Sequence, residues 1–238
     1  MTNLVYSKTL TTVAFDADDT LWHNERFFQD TQAQFSDLLA DHADPEHLAA
    51  RLLAAEKRNI GQYGYGIKGF VLSMIETAIE VTDQRVPARV IAQLIEAGRD
   101  MLAHPIEFLP HARETVQAVA ATHRVLLITK GDLLDQERKL AQSGLGDLFD
   151  GVEIVSEKTA ASYAAIFARH GEGAERGLMV GNSMRSDVVP MIAAGGWGVY
   201  VPHGVAWEIE HAEPPVDAPR YRALDDLGGL AWLLARIG

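Results

Sequence analysis

Three aspartates fall within four positions of the stretch TVAFDADDTLW, Thr12 to Trp22. An apolar run stops at Asp16, and Asp18 and Asp19 follow. Carboxylates this close repel one another, so a fold that keeps them together needs a reason. They could be turn formers and helix caps, ligands of a cation, or a nucleophile beside its acid/base partner. Other polar clusters also follow short apolar runs. Thr129, Lys130, Gly131 and Asp132 follow Val125–Ile128. Ser156, Glu157 and Lys158 follow Val152–Val155. Gly181, Asn182, Ser183, Ser186 and Asp187 follow Leu178–Val180.

These residue types assemble into one chemistry. Asp16 is a candidate nucleophile, which would split one hard displacement into two easier ones. Asp18, two residues on, could donate a proton to a leaving oxygen or take one from water. Asp16, Asp18, Asn182 and Asp187 offer hard oxygen ligands suited to Mg²⁺. Such a cation would offset both carboxylate repulsion and the charge of a phosphate. Thr129 and nearby backbone N–H groups could hold phosphate oxygens, and Lys158 adds positive charge where phosphoryl transfer needs it.

The elements that must position them are alternating short apolar runs and amphipathic segments. Val13–Phe15, Val125–Ile128, Val152–Val155, Leu178–Val180 and Val199–Val201 read as strands. His111–Ala121, Leu133–Ser143, Ser162–Arg169 and Val188–Ala194 read as helices between them. This pattern predicts an α/β fold with a mostly parallel sheet covered on both faces. In such sheets ligands bind beyond the carboxyl ends of the strands, where the polar clusters fall. Residues 24–106 differ in texture. Glu25–Ala40, Pro45–Asn59, Ile67–Val81 and Pro87–Leu102 carry apolar residues at helical spacing, with Asp44 and Pro45 as an N-cap and first-turn pair. The expected organisation is a Rossmann-like core from residues 1–23 and 107–238, interrupted by a helical bundle over 24–106.

Composition bounds the partners. The 238 residues carry a formal net charge of −12, which disfavours a nucleic-acid partner. The chain has no cysteine, which excludes disulfides, thiolate metal sites and Cys nucleophiles. No apolar run approaches the ~18 residues of a membrane span, and the N-terminal stretch lacks the pattern of a signal peptide. The expectation is a cytoplasmic protein without a membrane partner; the sequence leaves its oligomeric state open.

Taken together, the clusters resemble the motifs of the haloacid dehalogenase-like hydrolase superfamily, most of whose members are phosphatases. DADDT (Asp16–Thr20) matches its Asp-x-Asp-x-Thr motif, Thr129 after VLLI its second, Lys158 its third and GNSMRSD (Gly181–Asp187) its fourth. The resemblance runs from about residue 10 to 205, and it implies that residues 24–106 are an α-helical cap of the first type. It implies that Asp16 attacks phosphorus and becomes an aspartyl phosphate. Asp18 would protonate the leaving alcohol and then activate water. Mg²⁺ would be held by the Asp16 carboxylate, the Asp18 carbonyl and the fourth motif, while Thr129 and Lys158 position the phosphoryl group and Lys158 steadies Asp16.

Asn182 departs from the resemblance, standing where many members have an Asp; it can ligate but adds no charge, so Asp187 becomes the principal acidic ligand of that motif. Thr159 follows Lys158 in place of a common Pro. The dehalogenase branch lacks an acid/base Asp two positions after the nucleophile, so Asp18 favours phosphoester hydrolysis. The expected substrate is a small phosphorylated metabolite, with Lys130, Tyr63, Tyr65 and Lys68 as further candidate contacts. Tyr63, Tyr65 and Lys68 also fit a glycine-rich interhelical turn with packing aromatics. Asp187 could cap the helix after it, Asp19 is expected to face the turn, and Trp207 to pack. The competing readings are a hydrolase of C–P or C–halogen bonds and a non-catalytic phosphate- or metal-binding module, including an aspartate-phosphorylated switch.

Overall fold

The computed structural model describes residues 9–204 and 207–237. The opening residues searched above for a signal peptide therefore lie partly outside the described residues. The chain divides into two compact units. The first comprises residues 1–23, 106–129 and 139–238, and the second 24–105 and 130–138.

The first unit is built on a six-stranded sheet: β1 (Thr12–Phe15), β2 (Arg124–Lys130), β3 (Gly151–Val155), β4 (Gly177–Gly181), β5 (Trp197–Tyr200) and β6 (Tyr221–Ala223). The strand order is β3-β2-β1-β4-β5-β6. β1 pairs in parallel with β2 and β4, and β4–β5 and β5–β6 are parallel too. Both faces of the central strands are covered, which is why β1 and β4 are buried at every position. Alternation sorts their side chains. Val13, Phe15, Val125, Leu127, Leu178 and Val180 face a core with Val116 and Val119 of α5 (Ala112–Ala120) and Leu230, Leu233 and Leu234 of α9 (Leu230–Ile237). Ala14, Leu126, Ile128 and Met179 face the other way, onto Tyr163, Ile166 and Phe167 of α7 (Ala160–His170). Truncating the sealed Phe15 to Ala would cost about 3–5 kcal/mol.

The strand order reverses between β1 and β4, which makes a crevice at their carboxyl ends. Register aligns those ends: Phe15 lies opposite both Leu127 and Val180, and the Asp16 N–H donates to the Val180 carbonyl at 3.0 Å. The chemistry-bearing residues after β1 and β4 are thereby brought level.

The second unit contains α1 (Glu25–Leu38), α2 (Pro45–Tyr63), α3 (Ile67–Val81) and α4 (Ala88–Ala103), around Phe35, Leu48, Leu52, Phe70, Met74 and Leu94. α2 begins as expected, with the Asp44 carboxylate accepting from the His47 N–H and Pro45 in the first turn. It runs four residues beyond the expected Asn59, because buried Asn59 finds partners across the helix pair: its amide donates to Ser73 Oγ at 3.2 Å and to Glu76 Oε2 at 2.8 Å. The loop to α3 shrinks to Gly64–Gly66, in which Gly64 and Gly66 take positive φ values of 74° and 109°. The helix α6 (Leu133–Ser143) starts in the second unit and ends in the first. Its C-terminus is followed by Gly144 at φ 64°, the left-handed stop its sequence predicts.

Candidate active site

Asp16, Lys158 and Asp187 form the buried centre of the site. Lys158 Nζ donates to Asp16 Oδ1 and, at 2.7 Å, to Asp187 Oδ1. Each of the three is at least nine-tenths buried. Asp16 leaves β1, Lys158 follows β3, and Asp187 follows β4, so three strand ends meet at one ammonium. One lysine between two carboxylates leaves one negative charge uncompensated. Burial therefore pushes the Asp16 carboxyl up to about 7; Lys158 pulls against that shift, and Asp187 and Asp18 add to it. Burial also opposes the charge on Lys158, but its two carboxylate partners outweigh it and hold the ammonium protonated well above its usual range.

Thr20 and Asn182 tie the ends of β1 and β4 together. Thr20 Oγ1 donates to Asp16 Oδ2 at 2.9 Å, lies 3.2 Å from Asn182 Oδ1, and accepts from the Asn182 N–H at 3.1 Å. The hydroxyl has one proton, so it serves one of these two oxygens at a time. Asn182 and Asp16 thus share one partner, the Thr20 hydroxyl.

Asp187 is not the helix cap that its position suggested. It lies within a π-helical turn, Met184–Val188, that leads into α8 (Val189–Ala193). Ser183 does the capping, accepting from the Ser186 N–H at 2.9 Å. Asp187 Oδ2 instead accepts from the Ser183 N–H at 2.9 Å, leaving Oδ1 for Lys158. Gly181 is required here, because a Cβ at this position would land on the Asp187 carboxylate. The buried Tyr163 hydroxyl braces the turn by donating to the Ser186 carbonyl at 2.9 Å. Glu210 holds it from outside, with Oε2 accepting from Ser183 Oγ at 2.5 Å and from Ser186 Oγ.

Asp18 is held separately. Its Oδ1 accepts from Trp22 Nε1 at 2.8 Å, and Lys139 Nζ lies 2.9 Å from both of its oxygens. Thr129 is buried near the end of β2. Thr159, in place of a proline, caps α7 by accepting from the Ser162 N–H at 3.1 Å. The remaining candidates belong to the second unit. Lys68 Nζ pairs with Asp132 at 3.0 Å, Lys130 Nζ lies 3.9 Å from the centre of the Tyr65 ring, and the exposed Tyr63 donates its hydroxyl to Glu76 at 2.8 Å.

Lys139 and Glu210 escaped sequence reasoning. Lys139 reads as one more charge on α6, 121 positions from Asp18. Glu210 lies in an acidic stretch with no periodic signal. Neither carries a local mark of its partner.

A parallel sheet with this strand order, a buried aspartate following its first strand and a lysine joining it to a second aspartate make a doubly wound α/β core with a carboxylate-centred site at its strand ends. The chain belongs to the haloacid dehalogenase-like hydrolases, whose family model matches residues 10–195. Its solved relatives include a haloacid dehalogenase-like family hydrolase from Xanthomonas campestris, 44% identical, covering 96% of this chain and 92% of that one at a TM-score of 0.86. At 18% identity, the hydrolase YfnB from Bacillus subtilis, solved with magnesium bound, covers 95% and 99% at a TM-score of 0.65. A 2-haloacid dehalogenase from Pseudomonas syringae, 19% identical, covers 96% and 100% at 0.60. These last two share the fold. No curated protein matches the chain. Among the described residues, no helix is long and apolar enough to cross a membrane.

Proposed function

We propose that this hydrolase is a Mg²⁺-dependent phosphatase acting on a small phosphorylated metabolite, with Asp16 as nucleophile and Asp18 as general acid and base. The observation that carries this reading is the separate tethering of the two carboxylates. Asp16 is fixed by Lys158 and Thr20, while Asp18 is fixed by Lys139 and Trp22. Two aspartates two residues apart are thus given different partners, as two different roles require.

The donor set fits a hard divalent cation. Asp16, Asp187 and Asn182 offer oxygens only, and the buried centre carries one negative charge more than Lys158 neutralises. These residues, with the Asp18 carbonyl, would hold the ion. When bound, it would supply positive charge against the carboxylates and the phosphoryl oxygens.

The chain's own groups do the rest. An Asp16 carboxylate oxygen attacks phosphorus, the bond from phosphorus to the ester oxygen breaks, and the leaving oxygen takes a proton from Asp18. Lys158 keeps Asp16 oriented and adds positive charge beside the transferring group. In the second half, Asp18 takes a proton from water as that water attacks the phosphorus of the aspartyl phosphate. The bond from phosphorus to the Asp16 oxygen breaks and inorganic phosphate leaves.

The second reading is hydrolysis of a C–halogen bond by the same nucleophile, favoured by the shared fold of the Pseudomonas dehalogenase. Asp18 weighs against it, since the dehalogenase branch lacks that residue. A panel of phosphate monoesters and 2-haloacids, assayed with Mg²⁺ or EDTA on wild type, Asp16→Asn and Asp18→Asn, separates the two. The phosphatase reading expects metal-dependent phosphate release lost in both variants. Halide release by wild type without phosphate release would replace it.

A further inference from the structure

We infer that Asp19, His23 and His203 form a second cation site in the first unit, selective for a borderline transition metal such as Zn²⁺ or Co²⁺. Among the described residues, one ligand atom from each lies within 4.8 Å of the other two. His203 Nε2 is 3.4 Å from His23 Nδ1, and His203 Nδ1 is 3.6 Å from Asp19 Oδ1. These separations are long for hydrogen bonds. The His23–His203 separation resembles the ~3.0–3.6 Å edge between neighbouring ligands around an ion bound at ~2.0–2.2 Å.

The fold builds this trio from two directions. The turn after β1 doubles back, with the Asp19 N–H donating to the Trp22 carbonyl at 2.7 Å, and this sets Asp19 and His23 on one side of the turn. Asp19 takes a left-handed φ of 58°, an uncommon conformation for a residue with a side chain, and its carboxylate is buried. His203 arrives from the segment after β5. The two imidazoles meet edge to face, with centroids 5.5 Å apart. In this arrangement His23 Nδ1 and His203 Nε2 are the two nitrogen ligands. Asp19 Oδ1 faces the other nitrogen of His203, Nδ1, and its carboxylate completes the set by turning toward the two ligand nitrogens.

The donors decide the metal. Two imidazoles and one carboxylate suit Zn²⁺, Co²⁺ or Ni²⁺, whereas Mg²⁺ prefers an all-oxygen set such as Asp16, Asn182 and Asp187. The two sites therefore sort ions by hardness, and an excess of Mg²⁺ leaves the histidine site available. An ion there would clamp the Asp16–His23 turn to the segment after β5.

The test is a titration of the full chain with Co²⁺ in excess Mg²⁺, read by visible absorption and calorimetry. One Co²⁺ is expected per chain, with ring-proton NMR signals of His23 and His203 broadened in wild type. Affinity should fall at least ten-fold in His23→Asn, His203→Asn and Asp19→Asn, each checked for fold by circular dichroism. The wild-type NMR readout stands even if a variant fails to fold. Co²⁺ binding that survives all three substitutions, or that disappears only in Asp187→Asn, overturns the site. So does wild type that binds no Co²⁺ in excess Mg²⁺.

Discussion

Lys139 grips Asp18 by both carboxylate oxygens, its ammonium 2.9 Å from each. Lys139 is itself buried, so this contact is shielded from solvent far better than a surface pair. It fixes where the proposed acid/base group points. Lys139→Met is expected to lower kcat for phosphomonoester hydrolysis about 10–100-fold, with KM within roughly 3-fold, because a mispositioned Asp18 forfeits part of the ~10²–10⁴-fold that general acid–base catalysis supplies. Lys139→Arg should recover part of the loss. Steady-state kinetics on a chromogenic phosphate ester checks both.

Removing Lys158 has a different signature. Lys158→Met leaves Asp16 and Asp187 buried without their shared cation. Breaking one side of a buried ion pair costs about 3–5 kcal/mol. Urea unfolding without added metal should show that loss, and saturating Mg²⁺ should restore part of it. Restored stability without restored turnover would separate the structural work of this lysine from its catalytic work.

The upward shift of Asp16 gives a pH dependence with a definite sign. Its ordinary value is 3.8, and burial raises it to about 7 in the folded chain. The folded state therefore binds this proton more tightly than the unfolded state. The stability it contributes is fully present below about 4 and is lost as pH rises through about 7. Metal-free protein should lose stability over that window relative to Asp16→Asn, which cannot titrate there. A cation competes with the same proton, so the gain in Tm from Mg²⁺ should be larger at pH 8 than at pH 5. Differential scanning calorimetry across pH, with and without EDTA, measures this.

Gly181→Ala tests the packing behind the site. The new Cβ would overlap the Asp187 carboxylate, which is sealed in place by Lys158 and the Ser183 N–H. Overpacking of this kind costs about 1–3 kcal/mol. The displaced carboxylate should lower turnover about 100-fold, the scale reached when a group moves by an ångström. Thermal denaturation and kinetics on the same preparation read both effects.

The sheet and its site were legible where the physics is local. β1 and β4 are short apolar runs because both faces are covered, and a polar residue marks where each leaves the core. Asp16, Lys158 and Asp187 could therefore be located from strand ends alone. The sixth strand, Tyr221–Ala223, was not, because three edge residues carry too little pattern. Asp19 lies in the turn, as expected, but its carboxylate is buried and sits 3.6 Å from Nδ1 of His203, 184 positions away in the chain, a neighbour that local pattern does not reveal. Lys139 was hidden for the same reason, since a charged residue on an amphipathic helix looks solvated until its distant partner is known. Asp187 as a helix cap failed because the helix does not begin regularly. Ser183 starts it, and the π-helical turn carries Asp187 past the capping position.

That turn makes the chain sensitive to length at one spot. A π-helical turn holds one more residue than an α-helical one would over the same span. Deleting a single codon between Met184 and Val188 would let the segment run straight into α8 as regular helix. The segments on either side would keep their register, but Asp187 would come one position nearer to Ser183 along the helix, about 100° around the axis. Asp187 and Ser183 could then no longer both keep the bonds that now join them. The segment should thus accept many point substitutions on its solvent side, Arg185 among them, yet reject any change of reading length.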